Sequence, residues 1–265
     1  MIFNAKEFKL KIRDVEIDCI RFGRGKRPLI MIQGLNTRGI KGASLPLAYM
    51  YRIFAKEYTV YLFDRSPDAG EGVTVGDMAA DIALAMDALG LKCADVFGCS
   101  QGGMIAQHLA IDRPDLVRRL ALAVTLSRSN PTVSETVEGW IEMTERGDMR
   151  ALVRDMAEKM YSDAYMKRYR PLLPLLTLMQ RPKDVPRFIA LARACLTSDT
   201  YARLEEITCP VLVLGGGRDR VVGAEASREI AERLDCELFI YDDLGHAAYE
   251  EARDFNERIY AFFTR

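Results

Sequence analysis

The sequence has no long uncharged apolar run and no excess of charge of either sign. No stretch reaches about eighteen uncharged apolar residues, and the charged start "MIFNAKEFKLKIRD" has no apolar segment, so we expect neither membrane spanning nor export. The 37 basic and 38 acidic side chains leave a formal charge of -1. We therefore do not expect the strongly positive surface that nucleic acids or anionic membranes bind. We expect a cytoplasmic monomer or homodimer whose partner is a small molecule, not a nucleic acid or a membrane.

The six cysteines have no spacing typical of a metal site or a disulfide framework. No C-x-x-C pair occurs, and most of the cysteines lie within apolar runs, so we expect reduced, buried thiols. We also expect no metal and no organic cofactor. The cysteines are Cys19, Cys93, Cys99, Cys195, Cys209 and Cys236.

Strand and helix patterns alternate along most of the chain. "EFKLKI" and "VEIDCIRF" predict an antiparallel pair that turns at Arg13 and Asp14. Thr74 and Asp77 form a capping-box pattern before a helix that Gly90 ends. Near-continuous apolar strands separated by helices indicate an α/β fold, with a mostly parallel sheet covered on both faces. The other strand candidates are "PLIMIQG", "TVYLFD", "CADVFG", "LALAVT", "PVLVLGG" and "CELFIYD".

One segment interrupts this alternation with helical patterns alone. Residues 127–200 contain "SETVEGWIEMTERG", "MRALVRDMAEKMYS", "DAYMKRYRPLLPLLTLMQ" and "DVPRFIALARACLTS". Because strands resume afterwards, we predict a helical cap at residues 127–200, inserted into a core made of residues 1–126 and 201–265. No internal repeat or low-complexity segment is present.

The sequence "GCSQG", Gly98 to Gly102, lies where a buried strand must turn sharply into a helix. Such a turn holds Ser100 in strained dihedral angles with its hydroxyl projecting from the sheet. The N–H groups at the start of the helix would stabilise negative charge that develops beside the hydroxyl. We therefore predict that Ser100 is a nucleophile, although G-x-S-x-G alone also occurs by chance as a structural turn.

A serine nucleophile requires a base, and the chain has two histidines. His108 lies eight residues beyond Ser100 on the same predicted helix, roughly 12 Å along its axis, too far for a hydrogen bond. His246 follows the last predicted strand, at the sheet edge where the Ser100 strand also ends. We predict that His246 is the base; the alternative is a residue that caps the last helix.

The residue that orients the histidine is expected to be an acid at the same edge. Asp219 follows the strand that begins at Pro210, so we predict that it is this acid, with an ordinary loop aspartate as the alternative. Asp242 and Asp243 lie at the end of the strand that precedes His246 and are interpreted as turn formers.

The chain resembles the α/β-hydrolase superfamily over nearly its whole length, apart from the predicted cap. The resemblance rests on "GCSQGG", on "GGGRD" ending at Asp219, and on "LGH" ending at His246, in the family's order of nucleophile, acid and base. It implies a mostly parallel sheet of about eight strands. A stretch beginning "CSQGGMIAQHLAIDRPD" is similar to enol-lactonases and related carboxylesterases in this family.

The resemblance also implies an oxyanion hole formed by the backbone N–H groups of Gln101 and Leu35. The sequence departs from the family in the second loop, where Gln33-Gly34 replaces the His-Gly of many relatives. We expect this change to alter loop geometry and substrate contacts, not the reaction type. The segment "FDRSPDAGEG" matches the family's Asp-x-Arg-Gly-x-Gly turn only loosely.

The expected function is hydrolysis of a small to medium carboxylic ester or lactone through an acyl-enzyme on Ser100. The alternatives are other reactions of the same triad (C–C bond hydrolysis, thioester hydrolysis or cofactor-free perhydrolysis) and a non-catalytic ligand-binding protein with this fold. Apolar cap residues would in part line the pocket and favour a medium-length or cyclic acyl group. These residues are Trp140, Met143, Met149, Met156, Met160, Met166, Leu172, Leu173, Leu175, Leu176, Met179 and Phe188.

Four arginines of the predicted cap raise a further question about the substrate. They lie either on solvated helix faces, which we favour, or in a clamp for a substrate carboxylate. These residues are Arg168, Arg170, Arg187 and Arg193.

Overall fold

The computed structural model describes residues 2–169 and 180–265. Its centre is an eight-stranded sheet in the order β1-β2-β4-β3-β5-β6-β7-β8. β1 pairs antiparallel with β2, β2 pairs antiparallel with β4, and the remaining neighbours are parallel. The mostly parallel α/β fold expected from the sequence is therefore confirmed. The strands are β1 Lys6–Ile12, β2 Val15–Gly23, β3 Arg27–Ile32, β4 Tyr58–Phe63, β5 Ala94–Cys99, β6 Val117–Ala123, β7 Val211–Gly216 and β8 Glu237–Tyr241.

The sheet is buried on both faces, which explains its near-continuous apolar strands. Along β5, Val96 faces one apolar cluster and Phe97 faces the other, because successive side chains of a strand point to opposite faces. The first cluster includes α2 Val75–Ala88, α3 Gln101–Asp112 and α8 Glu225–Leu234. The second includes α1 Ser44–Met50 and α10 Phe255–Thr264.

The helix boundaries follow local sequence signals. Thr74 Oγ1 accepts from the backbone N–H of Asp77, and Asp77 Oδ2 accepts from the N–H of Thr74, so the predicted capping box is present. Gly90 follows the helix with φ of 65°, a left-handed conformation that glycine adopts without a Cβ penalty. The chain turns between β1 and β2 at Arg13 and Asp14, as expected.

Between β6 and β7 the described chain forms helices, and an isolated β-bridge joins Arg128 to Asp199. The α-helices are α4 Pro131–Glu145, α5 Met149–Met160, α6 Asp163–Tyr169 and α7 Val185–Thr197, and a 3₁₀ helix, Tyr201–Glu206, precedes β7. The two ends of this segment meet, because the N–H of Thr200 donates to the carbonyl of Ser127 at 2.7 Å. Residues 170–179 lie outside the described residues, and with them Arg170, Leu172, Leu173, Leu175, Leu176 and Met179, which were expected to belong to the cap.

Two local expectations were wrong. Cys93 is exposed, not buried, because it lies in the turn before β5 with φ of 52°. The last predicted helix consists of two pieces, α9 Ala248–Glu251 and α10, separated by extended backbone at Ala252. Of the described helices, none is long and apolar enough to cross a membrane.

Candidate active site

The turn between β5 and α3 presents Ser100 at the carboxyl end of the sheet. Ser100 has φ of 55° and ψ of -124°, a strained backbone that the surrounding packing must hold in place. A Cβ on Gly98 would lie 2.4 Å from the carbonyl oxygen of Gly102, and a Cβ on Gly102 would lie 2.0 Å from that of Ile32. The glycines on both sides of Ser100 thus allow strand, turn and helix to approach closely.

The structure brings Ser100, His246 and Asp219 together. His246 Nε2 lies 2.9 Å from Ser100 Oγ, and His246 Nδ1 lies 2.8 Å from Asp219 Oδ2. His246 and Asp219 are buried, with relative exposures of 3% and 6%. A carboxylate can only accept, so Nδ1 carries the proton and Nε2 is left to accept from the serine hydroxyl.

The other carboxylate oxygen of Asp219 is fixed by the backbone. Asp219 Oδ1 accepts from the N–H groups of Val221 and Val222 at 2.8 and 3.0 Å. Because both of these partners are donors, this oxygen position must be an acceptor. The carboxylate is therefore oriented on both sides, by the backbone at Oδ1 and by the imidazole at Oδ2.

The loop that carries His246 is held by the neighbouring loop and by the helical segment. The N–H of Arg218 donates to the carbonyl of Leu244 at 2.9 Å. On the other side, the N–H of Ala247 donates to the carbonyl of Met160, the last residue of α5, at 2.7 Å. The position of the histidine thus depends on contacts with both the sheet loops and α5.

Gln101 and Leu35, which resemblance to the family assigned to an oxyanion hole, both lie near Ser100. Gln101 is the first residue of α3, and Leu35 lines the same cavity as Ser100. The side chain of Gln101 turns away and donates from Nε2 to the carbonyl of Leu191 at 2.7 Å and to Cys195 Sγ at 3.1 Å. It therefore joins the serine turn to α7 and does not line the cavity.

The loop after β3 is braced by a buried ionic group. Arg65 donates from Nη2 to the carbonyl of Gln33, and Asp64 Oδ2 accepts from the N–H of Ile40 at 3.0 Å. Burial lowers the pKa of Arg65 to about 10, because the charged form loses water. Gln33, which stands where many relatives have histidine, is thus held by the hydrogen bond that its backbone carbonyl accepts from Arg65.

Arg187 extends this brace to α7. Its guanidinium donates to the carbonyl of Arg65 at 2.8 Å and to that of Ser66 at 3.3 Å, and it lies 3.5 Å from Asp64 Oδ1. It therefore lies neither in a carboxylate clamp nor on a solvated face. Arg193 pairs with the exposed Glu145 at 3.0 Å, as the solvated alternative predicts.

A cavity of about 230 Å³ opens above Ser100. Its walls are mostly apolar, and three of the lining residues, Trp140, Met156 and Met160, come from the helices between β6 and β7. Part of the apolar face of these helices therefore borders the serine, as expected. The other described lining residues are Gln33, Gly34, Leu35, Asn36, Leu47, Met50, Tyr51, Cys99, His246, Val221, Tyr249 and Glu250.

Glu250 was not singled out in the sequence. It lies one turn beyond His246, and its Oε2 accepts from the Tyr161 hydroxyl at 2.6 Å. The protein packed around Glu250 raises the pKa of its carboxyl, although the residue remains exposed at the cavity mouth. The sequence offered one signal for Glu250, its place four residues after the histidine of "LGH". A glutamate on the surface of a helix has the same appearance in a sequence.

The remaining candidates lie elsewhere or are inert. His108 lies on α3 beside Asp112, 3.9 Å from its carboxylate, and Asp243 pairs with Arg218 at 2.6 Å on the surface. Burial raises the pKa of the Cys99 thiol well above its usual range, so it stays protonated and unreactive. Among residues 2–169 and 180–265, no group of three or more His, Cys, Asp or Glu side chains could hold a metal ion.

Several known proteins are similar to this chain. A Caulobacter segnis protein provisionally named carbamate hydrolase RutD is 32% identical over 163 residues, which span 61% of each chain. A Pseudomonas 2-hydroxy-6-oxononadienedioate/2-hydroxy-6-oxononatrienedioate hydrolase is 27% identical over 221 residues, 78% of each chain. The enol-lactonase structure from Burkholderia xenovorans superposes with a TM-score of 0.85 at 20% identity, and covers 97% of this chain and 100% of that one.

The family assignment rests on a match that covers most of the chain. The model of the alpha/beta hydrolase fold family matches residues 28–253. This range contains every strand from β4 to β8 and all three residues of the hydrogen-bonded group at the carboxyl edge. The superfamily resemblance noted in the sequence is confirmed: the chain belongs to the alpha/beta hydrolase family.

Proposed function

We propose that the protein is a serine hydrolase that cleaves a small to medium carboxylic ester or lactone through an acyl-enzyme on Ser100. The observation that carries the proposal is the continuous hydrogen-bonded line from Ser100 Oγ through His246 to Asp219, at 2.9 and 2.8 Å. A base aligned in this way activates a hydroxyl that is otherwise a weak nucleophile.

The reaction would proceed in two halves. His246 Nε2 takes the proton of Ser100 as Oγ attacks the substrate carbonyl, and then gives that proton to the leaving alkoxide. In the second half, His246 Nε2 takes a proton from water, which attacks the acyl carbonyl and releases the acid while Ser100 Oγ regains its proton. Asp219 holds the imidazole and stabilises its cation, while the backbone N–H groups of Gln101 and Leu35 would bind the oxyanion.

We propose that residues 127–200 act as a cap over this site. The cavity walls contributed by Trp140, Met156 and Met160 support this role. So does the backbone bond from Ala247 to Met160, which ties the histidine loop to α5.

A second candidate is hydrolysis of a carbamate. It is favoured by the similarity to the Caulobacter protein, which spans only 61% of that protein's length. Attack on a carbamate carbonyl would use the same three residues and the same oxyanion site, so the geometry serves both reactions. A non-catalytic binding protein is disfavoured, because ligand binding does not require an aligned base.

The test of the proposal is covalent labelling followed by turnover. A fluorophosphonate should label the protein once, at Ser100, and Ser100→Ala should abolish both labelling and hydrolysis. A panel of matched butyryl oxyesters, thioesters, carbamates and lactones then identifies the reaction. Labelling of Ser100→Ala at the parental rate would contradict the assignment of the nucleophile.

The cavity also predicts the acyl length. With p-nitrophenyl esters, kcat/KM should rise from acetyl to about butyryl or hexanoyl and fall for longer chains, since the cavity holds only about 230 Å³. A preference for palmitoyl esters with activation at lipid interfaces would indicate a lipase and contradict this prediction.

A further inference from the structure

The cavity above Ser100 has an acidic side chain in its described walls. Among the described lining residues, Glu250 is the one carboxylate, and none is a lysine or an arginine. Of the four arginines considered for a carboxylate clamp, Arg187 is bound to the core and Arg193 pairs with Glu145. Arg168 is not among the described lining residues, and Arg170 lies outside the described residues. An anionic substrate would therefore meet repulsion here, and a cationic one would meet attraction.

The carboxylate of Glu250 is positioned by its surroundings. α9 begins two residues after His246, so Glu250 lies at the cavity mouth, beside the base. The hydroxyl of Tyr161 donates to Oε2 at 2.6 Å, and the ring of Tyr161 stacks on Tyr165 with centroids 4.5 Å apart. This arrangement orients the carboxylate while leaving it exposed.

Aromatic rings line the same cavity. Tyr51, Tyr249 and Trp140 border it together with Glu250. A carboxylate combined with aromatic faces and apolar walls is the environment that binds an alkylammonium group, through charge attraction and cation–π contact. The apolar walls alone would also accept a neutral alkyl chain, so the charge of Glu250 is the feature that discriminates.

We propose that Glu250 selects substrates that carry an alkylammonium group and disfavours acids. The proposal rests on the ester or lactone hydrolysis proposed above and specifies its substrate class. Ser100 and His246 would perform the same chemistry on cationic and neutral esters, so Glu250 would change the choice of substrate and not the reaction.

Isosteric ester pairs test the proposal. In the acyl series, p-nitrophenyl 4-(trimethylammonio)butanoate is compared with its carbon isostere 5,5-dimethylhexanoate and with the glutarate monoester. In the alcohol series, butyrylcholine is compared with 3,3-dimethylbutyl butyrate. In at least one series the parent should prefer the cation, and Glu250→Gln should lower the cation-to-neutral ratio of kcat/KM about tenfold, or about 1.4 kcal/mol.

Glu257→Gln is the matched control, because it removes the same charge from an exposed position on α10. It should leave the ratio at the parental value. If Glu250→Gln leaves the ratio unchanged in both series, or if the parent prefers the glutarate monoester, the inference is wrong while the proposed hydrolysis stands.

A binding measurement keeps the inference testable if no ester is hydrolysed. By calorimetry, Ser100→Ala should bind butyltrimethylammonium more tightly than hexanoate, and adding Glu250→Gln should weaken binding of the cation about tenfold. Equal binding of the two ions, or no effect of Glu250→Gln, would overturn the inference independently of catalysis.

Discussion

Replacing Asp219 by asparagine should impose on His246 the tautomer that cannot accept the proton of Ser100. The oxygen at the Oδ1 position must still accept from the N–H groups of Val221 and Val222, so the amide oxygen of Asp219→Asn should occupy it. The amide NH₂ then faces His246 Nδ1 and donates to it. The imidazole proton is displaced to Nε2, which can no longer take the proton of Ser100.

If the proposed function is right, the loss should approach the loss of about 10⁴-fold in kcat that the same change causes in serine triads. This corresponds to about 5.4 kcal/mol of transition-state stabilisation. The substitution keeps the side-chain shape and both backbone hydrogen bonds. We therefore expect an unchanged far-UV circular dichroism spectrum and a urea midpoint close to that of the parent.

The assay is hydrolysis of p-nitrophenyl butyrate, with the rate of fluorophosphonate labelling as a second readout of nucleophile activation. Asp243→Asn and His108→Ala serve as controls and should stay near parental activity, since both residues lie away from Ser100. A loss of less than tenfold in Asp219→Asn would refute the tautomer argument. A comparable loss in Asp243→Asn would mean that the acid has been assigned to the wrong residue.

Three further substitutions and one matched control test the local packing and helix capping described above. Gly102→Ala should destabilise the protein by about 3 kcal/mol, because the new Cβ would lie 2.0 Å from the carbonyl oxygen of Ile32. Its control is Gly139→Ala on α4, where nothing lies within 4 Å of the new Cβ. This variant should raise the free energy of unfolding by about 0.5 kcal/mol. Arg187→Met should cost about 2 kcal/mol in urea unfolding, because it removes hydrogen bonds that join α7 to the loop after β4. Asp77→Asn should cost up to about 1 kcal/mol at pH 7, because a neutral amide oxygen accepts more weakly from Thr74 than the carboxylate does and places no negative charge at the helix start. Its hydrogen bonds from Thr74 lower the pKa of Asp77 in the folded state, so this difference should be full above about pH 4 and shrink as the pH falls through the folded-state pKa.

Each of these predictions has a result that contradicts it. Equal stabilities of Gly102→Ala and Gly139→Ala would mean that the helix start tolerates separation from β3. An unchanged urea midpoint in Arg187→Met would show that its contacts are replaced by water. A cost of Asp77→Asn that persists undiminished at pH 3 would show that the carboxylate charge is not what stabilises the helix start.

The fold was predictable because its signals are local. The run that ends at Cys99, the glycines at 98 and 102, and the capping box at Thr74 each fix a short piece of backbone, and parallel strands place their carboxyl ends at one edge. That rule was sufficient to predict that Ser100, Asp219 and His246 would be neighbours. Their side chains do lie within hydrogen-bond distance.

Contacts between distant segments were not predictable in this way. Gln101 contacts Leu191, 90 residues away, and Arg187 contacts the carbonyl of Arg65, 122 residues away. Helical periodicity indicates that such residues share a face, but it does not identify which element covers that face. For the same reason the position of the Glu250 side chain on the cavity wall became visible only in the folded chain.

The bond between Ala247 and Met160 has a consequence for protein engineering. The last carbonyl of α5 receives the N–H of the residue after His246, so the helical segment and the histidine loop share one junction. A chimera that grafts the helices of another family member between β6 and β7 must place a carbonyl at the same point. Grafts that match only the length and apolarity of the segment would leave that N–H without its acceptor and the histidine loop without its bond to the helical segment at Met160.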